Sequence, residues 1–259
     1  MKHAVLIGAS RGIAYYTTLN LLSTDEWTCT LLLRKPEALA ADPKLTPYVE
    51  SGKLVFVKGN GTSVEDVAKL FDKPADVVIT SIGGAPRFTL RGAELDQPRV
   101  CTEAAETLLK VLGKLDGKPP RVIAVSSMGM GNSHKYMPLA WRIFYPWALH
   151  HPHLDKEGME YLMCRASTTL AVPEDHIPPP NILPRENISQ IREDFLPEVI
   201  IVRPALLTGD GPLKGKDKTK VSEDLYSYTV TRMDVAAFIS DECVQEGSKW
   251  VNKLPIVGY

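Results

Sequence analysis

The chain has 259 residues, is 44% hydrophobic and 24% charged, and carries 30 Lys plus Arg against 31 Asp plus Glu for a formal net charge of −1. That length suits one α/β domain with insertions, residues 1–259, and the balanced charge argues against nucleic acid or an anionic membrane as the main partner. No long uninterrupted apolar run exists, and Met1-Lys2 leads straight into a strand with no room for a signal peptide, so the expectation is a cytoplasmic protein.

Ala4 to Ile7 is a short aliphatic run of the buried parallel-strand type, and Gly8 ends it with a residue free to take φ > 0. Ile13, Tyr16, Leu19 and Leu22 then recur at helical spacing, so a helix begins near Gly12. Its unpaired N–H groups and positive dipole end face back over the strand end, where a phosphate is favoured. Within Gly8-Ala9-Ser10-Arg11-Gly12-Ile13-Ala14, Gly8 makes the turn, Gly12 admits a pyrophosphate close to backbone, and Ala14 lets the helix pack tightly. Ser10, Arg11 and Ile13 belong to the same candidate cofactor-binding turn. The spacing is Gly-x3-Gly-x-Ala, not G-x-G-x-x-G, and a plain strand-turn-helix without ligand is the alternative.

Thr28 to Leu33 forms a second strand that stops at Arg34-Lys35-Pro36. An acidic residue at this point would accept from a ribose 2′-OH and mark NAD; here the end is basic. Arg34 and Lys35, joined by Arg11, suit a 2′-phosphate, so NADP(H) is the preferred cofactor, the alternative being two lysine- and arginine-type side chains that merely solvate a loop. Pro36 to Gly52 reads as a connector with one helical turn. Leu54 to Val57 is the third strand, and Asn60 follows it where an adenine edge would be met or an ordinary Asn-Gly turn would form.

Ser63 caps the next helix with Asp66 at the reach-back position, and Val64, Val67, Leu70 and Phe71 supply its inner face. Asp76 to Gly84 is a strand closing in a glycine pair, where Ser81 and Gly83 let ribose and phosphates pass close to backbone. Arg87 to Pro98 reads as an exposed loop. Val100, Ala104, Leu108, Val111 and Leu112 mark a long helix, and Arg121 to Ser127 a fifth strand. The alternation implies a doubly wound parallel sheet, a Rossmann fold, with Gly8, Arg34, Gly83 and Ser127 converging on one crevice at the strands' carboxyl ends.

A small C-terminal substrate-side region follows, made of segments 128–155, 168–196 and 205–230. Tyr136, Trp141, Phe144, Tyr145 and Trp147 crowd beside His150-His151-Pro152-His153, either walling an apolar pocket or forming a core-packing arm or oligomer contact, with monomer and homodimer both open. His-His-Pro-His lacks ligand spacing, so no metal is expected. Asp155 caps a helix with Met159, Leu162, Met163 and Ala166 inward. Thr168 to Leu196 is a long polar connector of lid, binding-loop or disordered type. Glu198 to Val202 is a sixth strand, Gly209 to Asp224 a flexible loop, and a last helix around Met233 is capped by Thr231 or Asp234. A terminal strand is expected near Lys249 to Val251. Cys29, Cys101, Cys164 and Cys243 show no paired spacing and read as reduced, mostly buried thiols.

The glycine turn, the Ser81 to Gly84 strand end, Val125-Ser126-Ser127, Asp155-Lys156-Glu157, the run from Val202 to Thr208, and Arg232-Met233-Asp234-Val235-Ala236 together resemble the extended or atypical short-chain dehydrogenase/reductase superfamily. The likeness is to its small NAD(P)H-binding members, related to NmrA-like proteins and flavin/biliverdin reductases. It implies a Ser-Tyr-Lys site in which tyrosine, four residues before lysine, protonates a carbonyl oxygen and lysine holds the nicotinamide ribose. Ser127 and Lys156 match as catalytic residues, and Lys156, Arg203 and Pro204 join the cofactor contacts. The tyrosine position holds Pro152. His151, His153, Tyr145 and Tyr161 are the alternative proton donors. The implied function is an NADPH-dependent oxidoreductase delivering hydride to a small apolar, aromatic or conjugated substrate. The alternatives are a redox-inactive NADP-binding sensor and a non-redox isomerase or cyclase.

Overall fold

In the computed structural model, the described residues are 1–84, 86–89, 92–130, 135, 137, 139, 142, 149–173 and 177–259. Strand β1 (Lys2–Ile7) enters helix α1 (Gly12–Leu22), and β2 (Trp27–Leu33) leads through short helices α2 (Glu37–Ala40) and α3 (Thr46–Glu50) to β3 (Leu54–Lys58). Helix α4 (Val64–Ala68) precedes β4 (Val77–Thr80). A hairpin of β5 (Pro86–Thr89) and β6 (Gly92–Leu95) follows, then α5 (Val100–Leu112), β7 (Arg121–Val125) and the long α6 (His150–Ala166). The remainder comprises α7 (Arg185–Ile188), β8 (Val199–Pro204), β9 (Leu206–Leu207), β10 (Lys220–Ser222), β11 (Thr229–Val230), α8 (Arg232–Phe238) and β12 (Ile256–Gly258).

The main sheet runs β3-β2-β1-β4-β7-β8-β12-β10, parallel throughout except where β10 meets β12. Period-two alternation divides its side chains between two cores. Ala4, Leu6, Ile79, Ile123 and Ile200 pack with α1 and α8 on one face. Val5, Ile7, Val78, Val122 and Ile201 pack with α5 and α6 on the other. β1 and β4 are neighbours with the chain winding outward on both sides, so a crevice opens at their carboxyl ends. This is the doubly wound Rossmann architecture the alternating pattern implied.

The structure departs from the sequence reading in several places. Arg87 to Pro98 is not all exposed loop: Pro86 pairs with Leu95 and Thr89 with Gly92 in an antiparallel hairpin. Helix α6 begins at His150, five residues ahead of Asp155, because Pro152 falls in the first turn, where a missing N–H removes no intrahelical bond. Of the 168–196 connector, the stretch 182–196 is packed down, with Leu183, Ile188, Ile191 and Phe195 buried, a bridge between Ser167 and Leu196, and Arg99 Nε donating to Ile182 O at 2.7 Å. The last strand is Ile256–Gly258, while Trp250 turns in edge-on against Phe238 with ring centroids 5.6 Å apart. Ser63 does cap α4, accepting from Asp66 N at 3.2 Å, but the Asp66 carboxylate reaches the Asn60 N–H at 2.9 Å.

Thr231 is the cap of α8. Asp234, in that helix's first turn, pins the loop at 214–219 that precedes it in the chain, by accepting from Gly215 N at 2.9 Å, Lys214 N at 3.1 Å and Thr219 Oγ1 at 3.2 Å. All four cysteines are buried free thiols, and burial pushes Cys29, Cys101 and Cys164 up to about 12, which makes them poor nucleophiles. Among the described residues no helix is long and apolar enough to cross a membrane.

Candidate functional site

The site is built where β3, β2, β1, β4 and β7 end side by side. Gly8 has φ +86°, and a Cβ there would lie 2.8 Å from C and O of Ser81 and 2.9 Å from N of Ile82. The β1–α1 turn therefore rests directly on the main chain leaving β4, and Ser81 N donates to Ile7 O at 2.9 Å. Arg11 precedes α1 in extended conformation without a side-chain cap, and no acidic residue lies in the helix's first turn. The first N–H groups of α1 thus face outward with no internal carboxylate to satisfy them. Ser10 and Arg11 are exposed beside them, and Ile13 and Ala14 are buried beneath. At Gly12, with φ +71°, the space on the Cβ side is taken by the Arg232 stem, with Cδ 3.3 Å away.

Arg34 and Lys35 are exposed after β2, and Asn60 is exposed after β3. At the end of β4, a Cβ on Gly83 would meet nothing within 4 Å, whereas one on Gly84 would strike Leu95 of the hairpin at 2.9 Å. The open backbone is therefore at Gly83. Gly61, which the sequence marks only as part of an Asn-Gly turn, makes room by its missing Cβ for Ile82 Cδ1, 2.6 Å from the Cβ position.

Helix α6 brings the polar groups. Lys156 Nζ donates to Ile82 O at 2.8 Å and Val125 O at 2.7 Å, tying the ends of β4 and β7 together. Ser127 Oγ donates to Met128 O at 3.2 Å and lies 3.5 Å from His153 Nε2. Asp155 does not cap its own helix. Its carboxylate accepts from Cys101 N at 2.9 Å and Thr102 N at 2.8 Å, capping α5 from across the interface, which fixes the turn of α6 that carries Lys156. At the end of β7, Ser126 Oγ is buried with no hydrogen-bond partner among the described residues.

Arg203 and Pro204 have other engagements. The Arg203 guanidinium clasps Glu160, Nε to Oε1 at 3.0 Å and Nη2 to Oε2 at 2.6 Å. Burial alone would lower its pKa, but the paired carboxylate outweighs this and raises it. Pro204 is buried in β8 with its carbonyl accepting from Met128 N at 2.9 Å. Tyr136, Trp141, Phe144, Tyr145 and Trp147 lie outside the described residues, as does much of the expected apolar wall.

These features fit a dinucleotide: a turn that glycine alone makes without strain, an uncapped helix N-terminus without acids, open backbone at Gly83, exposed cations just after β1 and β2, and a Ser126 hydroxyl without a partner among the described residues. A profile of the family described as NAD(P)H-binding matches residues 8–167. Reductase pytE of Aspergillus terreus is 25% identical over 254 residues, spanning 90% of this chain and 89% of that protein. A short-chain dehydrogenase/reductase from Veillonella parvula DSM 2008, solved in complex with NADP, superposes with TM-score 0.64 at 16% identity over 100% of this chain and 94% of that one. ChuY, an anaerobillin reductase from Escherichia coli O157:H7, superposes with TM-score 0.63 at 18% identity over 99% and 97%. The two structural likenesses are likenesses of fold.

Proposed function

The chain belongs to the NAD(P)H-binding family, and from that premise we propose that it is an NADPH-dependent reductase of a small apolar, aromatic or conjugated substrate. The observation that carries this reading is the Ser127, His153 and Lys156 group, gathered at the strand-end crevice beside the glycine turn. When bound, the dinucleotide supplies a hydride from its nicotinamide ring. The α1 N-terminus holds the pyrophosphate, with Gly8, Ser10, Arg11, Gly12 and Ile13 shaping the turn. Arg34 and Lys35 hold the 2′-phosphate, Asn60 meets the adenine, and Ser81 and Gly83 let the ribose lie against backbone.

Ser127 orients the substrate's acceptor atom. His153 moves the proton that tyrosine moves elsewhere in the superfamily, since it stands one turn before Lys156 within reach of Ser127 Oγ. Lys156 holds the two strand ends and presents positive charge to the crevice. Conjugated acceptors that draw their proton from solvent ask still less of these residues. The reading draws support from the pytE likeness, a protein named a reductase.

NADPH oxidation followed at 340 nm against quinones, flavins, imines and enones is the test, and turnover of at least one class is expected. A second reading, a cofactor sensor, is favoured by Pro152 and by the two main-chain carbonyls that occupy Lys156. It predicts NADPH uptake with no consumption by any acceptor.

Two variants sharpen the reading. Ser127→Ala and His153→Gln are each expected to lower kcat by about 10²-fold or more with cofactor affinity within about twofold of wild type. Unchanged kcat in both would reduce them to packing residues. Arg34→Asp is expected to weaken NADPH about 10- to 100-fold and NADH little, the loss of a charge-assisted phosphate contact. Equal loss for both cofactors would mean that Arg34 does not meet the 2′-phosphate.

A further inference from the structure

Arg232 is the first residue of α8, directly after the cap Thr231, whose Oγ1 accepts from Asp234 N at 3.1 Å. Its aliphatic stem crosses Gly12, with Cδ 3.3 Å and Nε 3.6 Å from where a Cβ would stand. The base of the guanidinium is thereby set against the first turn of α1. Its Nη1 lies 3.6 Å from Asp210 Oδ1, a loose contact with a carboxylate whose side chain is 60% exposed. Burial and then the nearby Asp210 carboxylate push the pKa of the Tyr16 hydroxyl on α1 up.

Two sources of positive potential therefore meet at one point: the dipole end of α1, whose first turn contains no acidic residue, and a guanidinium. Each raises the electrostatic cost of the other unless an anion lies between them. Asp210 answers this only in part, at long distance and in solvent. A pyrophosphate brings more charge and a geometry that a guanidinium fork grips at two oxygens.

We propose that Arg232 is a further cofactor-binding residue, a phosphate clamp supplied by the C-terminal helix, which exchanges Asp210 for the pyrophosphate when the dinucleotide binds. The proposal rests on the NAD(P)H reading and adds to it a contact from outside the N-terminal half. It also adds a reason for glycine at position 12 beside its φ of +71°: the clamp's stem lies 3.3 Å from where a Cβ would stand.

Calorimetric titration of the full chain with NADPH, NADH and adenosine 2′-monophosphate tests it in the wild type, R232M and D210N. R232M keeps a stem over Gly12 and removes the charge. It is expected to weaken both dinucleotides alike, by about 10- to 100-fold, and to leave adenosine 2′-monophosphate, which has no pyrophosphate, unchanged. D210N removes the competing carboxylate and is expected to tighten both dinucleotides. R232K, which keeps charge without the fork, is expected to fall between wild type and R232M, and serves alone if R232M does not fold.

Dinucleotide affinity within twofold of wild type in R232M or R232K overturns the clamp. So does an equal loss of adenosine 2′-monophosphate, which would signal general damage, and so does weaker dinucleotide binding in D210N. Wild-type protein that takes up neither dinucleotide overturns the cofactor reading as a whole, a result separable from failure of Arg232 alone.

Discussion

Gly8→Ala is expected to cost the folded protein about 3 kcal/mol or more and to abolish dinucleotide binding. Two penalties combine. At φ +86° an L side chain is strained wherever it points, and here the added methyl also meets main-chain atoms of Ser81 and Ile82 at 2.8–2.9 Å. Neither contact is the far end of a flexible side chain, so relief requires β1 or β4 to move, and those are central strands of the sheet. Urea denaturation and NADPH titration read the two effects. Gly83→Ala is the control, because its Cβ meets nothing within 4 Å. It should leave stability within about 0.5 kcal/mol of wild type. A Gly8→Ala protein that melts with the wild type would show that the turn can relax.

Asp155→Ala is expected to destabilise by about 2–4 kcal/mol, since two buried N–H donors at the start of α5 lose the carboxylate that is their acceptor among the described residues. The effect should not stop at stability. Asp155 is fully buried and adjacent to Lys156, so loosening it lets α6 shift where Lys156 meets Ile82 O and Val125 O. Turnover should fall with it. Asp155→Asn retains one accepting oxygen and should lose about half as much. Stability of the alanine variant within about 0.5 kcal/mol of wild type would show that water replaces the carboxylate at this interface.

Much of this was legible in the residues. The unbroken apolar runs Ala4 to Ile7 and Val77 to Ile79 encode strands buried on both faces, and Gly8 marks a backbone conformation that few other residues reach. Local signals sufficed for those. What escaped depends on partners distant in sequence. Asp155 reads as the cap of the helix it sits in, and only the packing of α6 on α5 shows that it caps the other one, 54 positions away. Arg203 follows the expected motif, yet its charge is spent on Glu160. Prolines and polar residues in 168–196 hid the buried Leu183, Ile188, Ile191 and Phe195. Arg232 stands in a motif that carries the resemblance, but nothing local ties it to the glycine turn, because its relation to Gly12 exists only once α8 lies against α1.

The bond pattern at Lys156 has one more implication. An ammonium group has three protons, and two of these are given to peptide oxygens on neighbouring strands. The side chain thereby behaves as a rivet through the floor of the crevice. Acylating reagents should modify Lys156 more slowly than the exposed lysines of this protein, and its acylation should loosen the chain where β4 and β7 end.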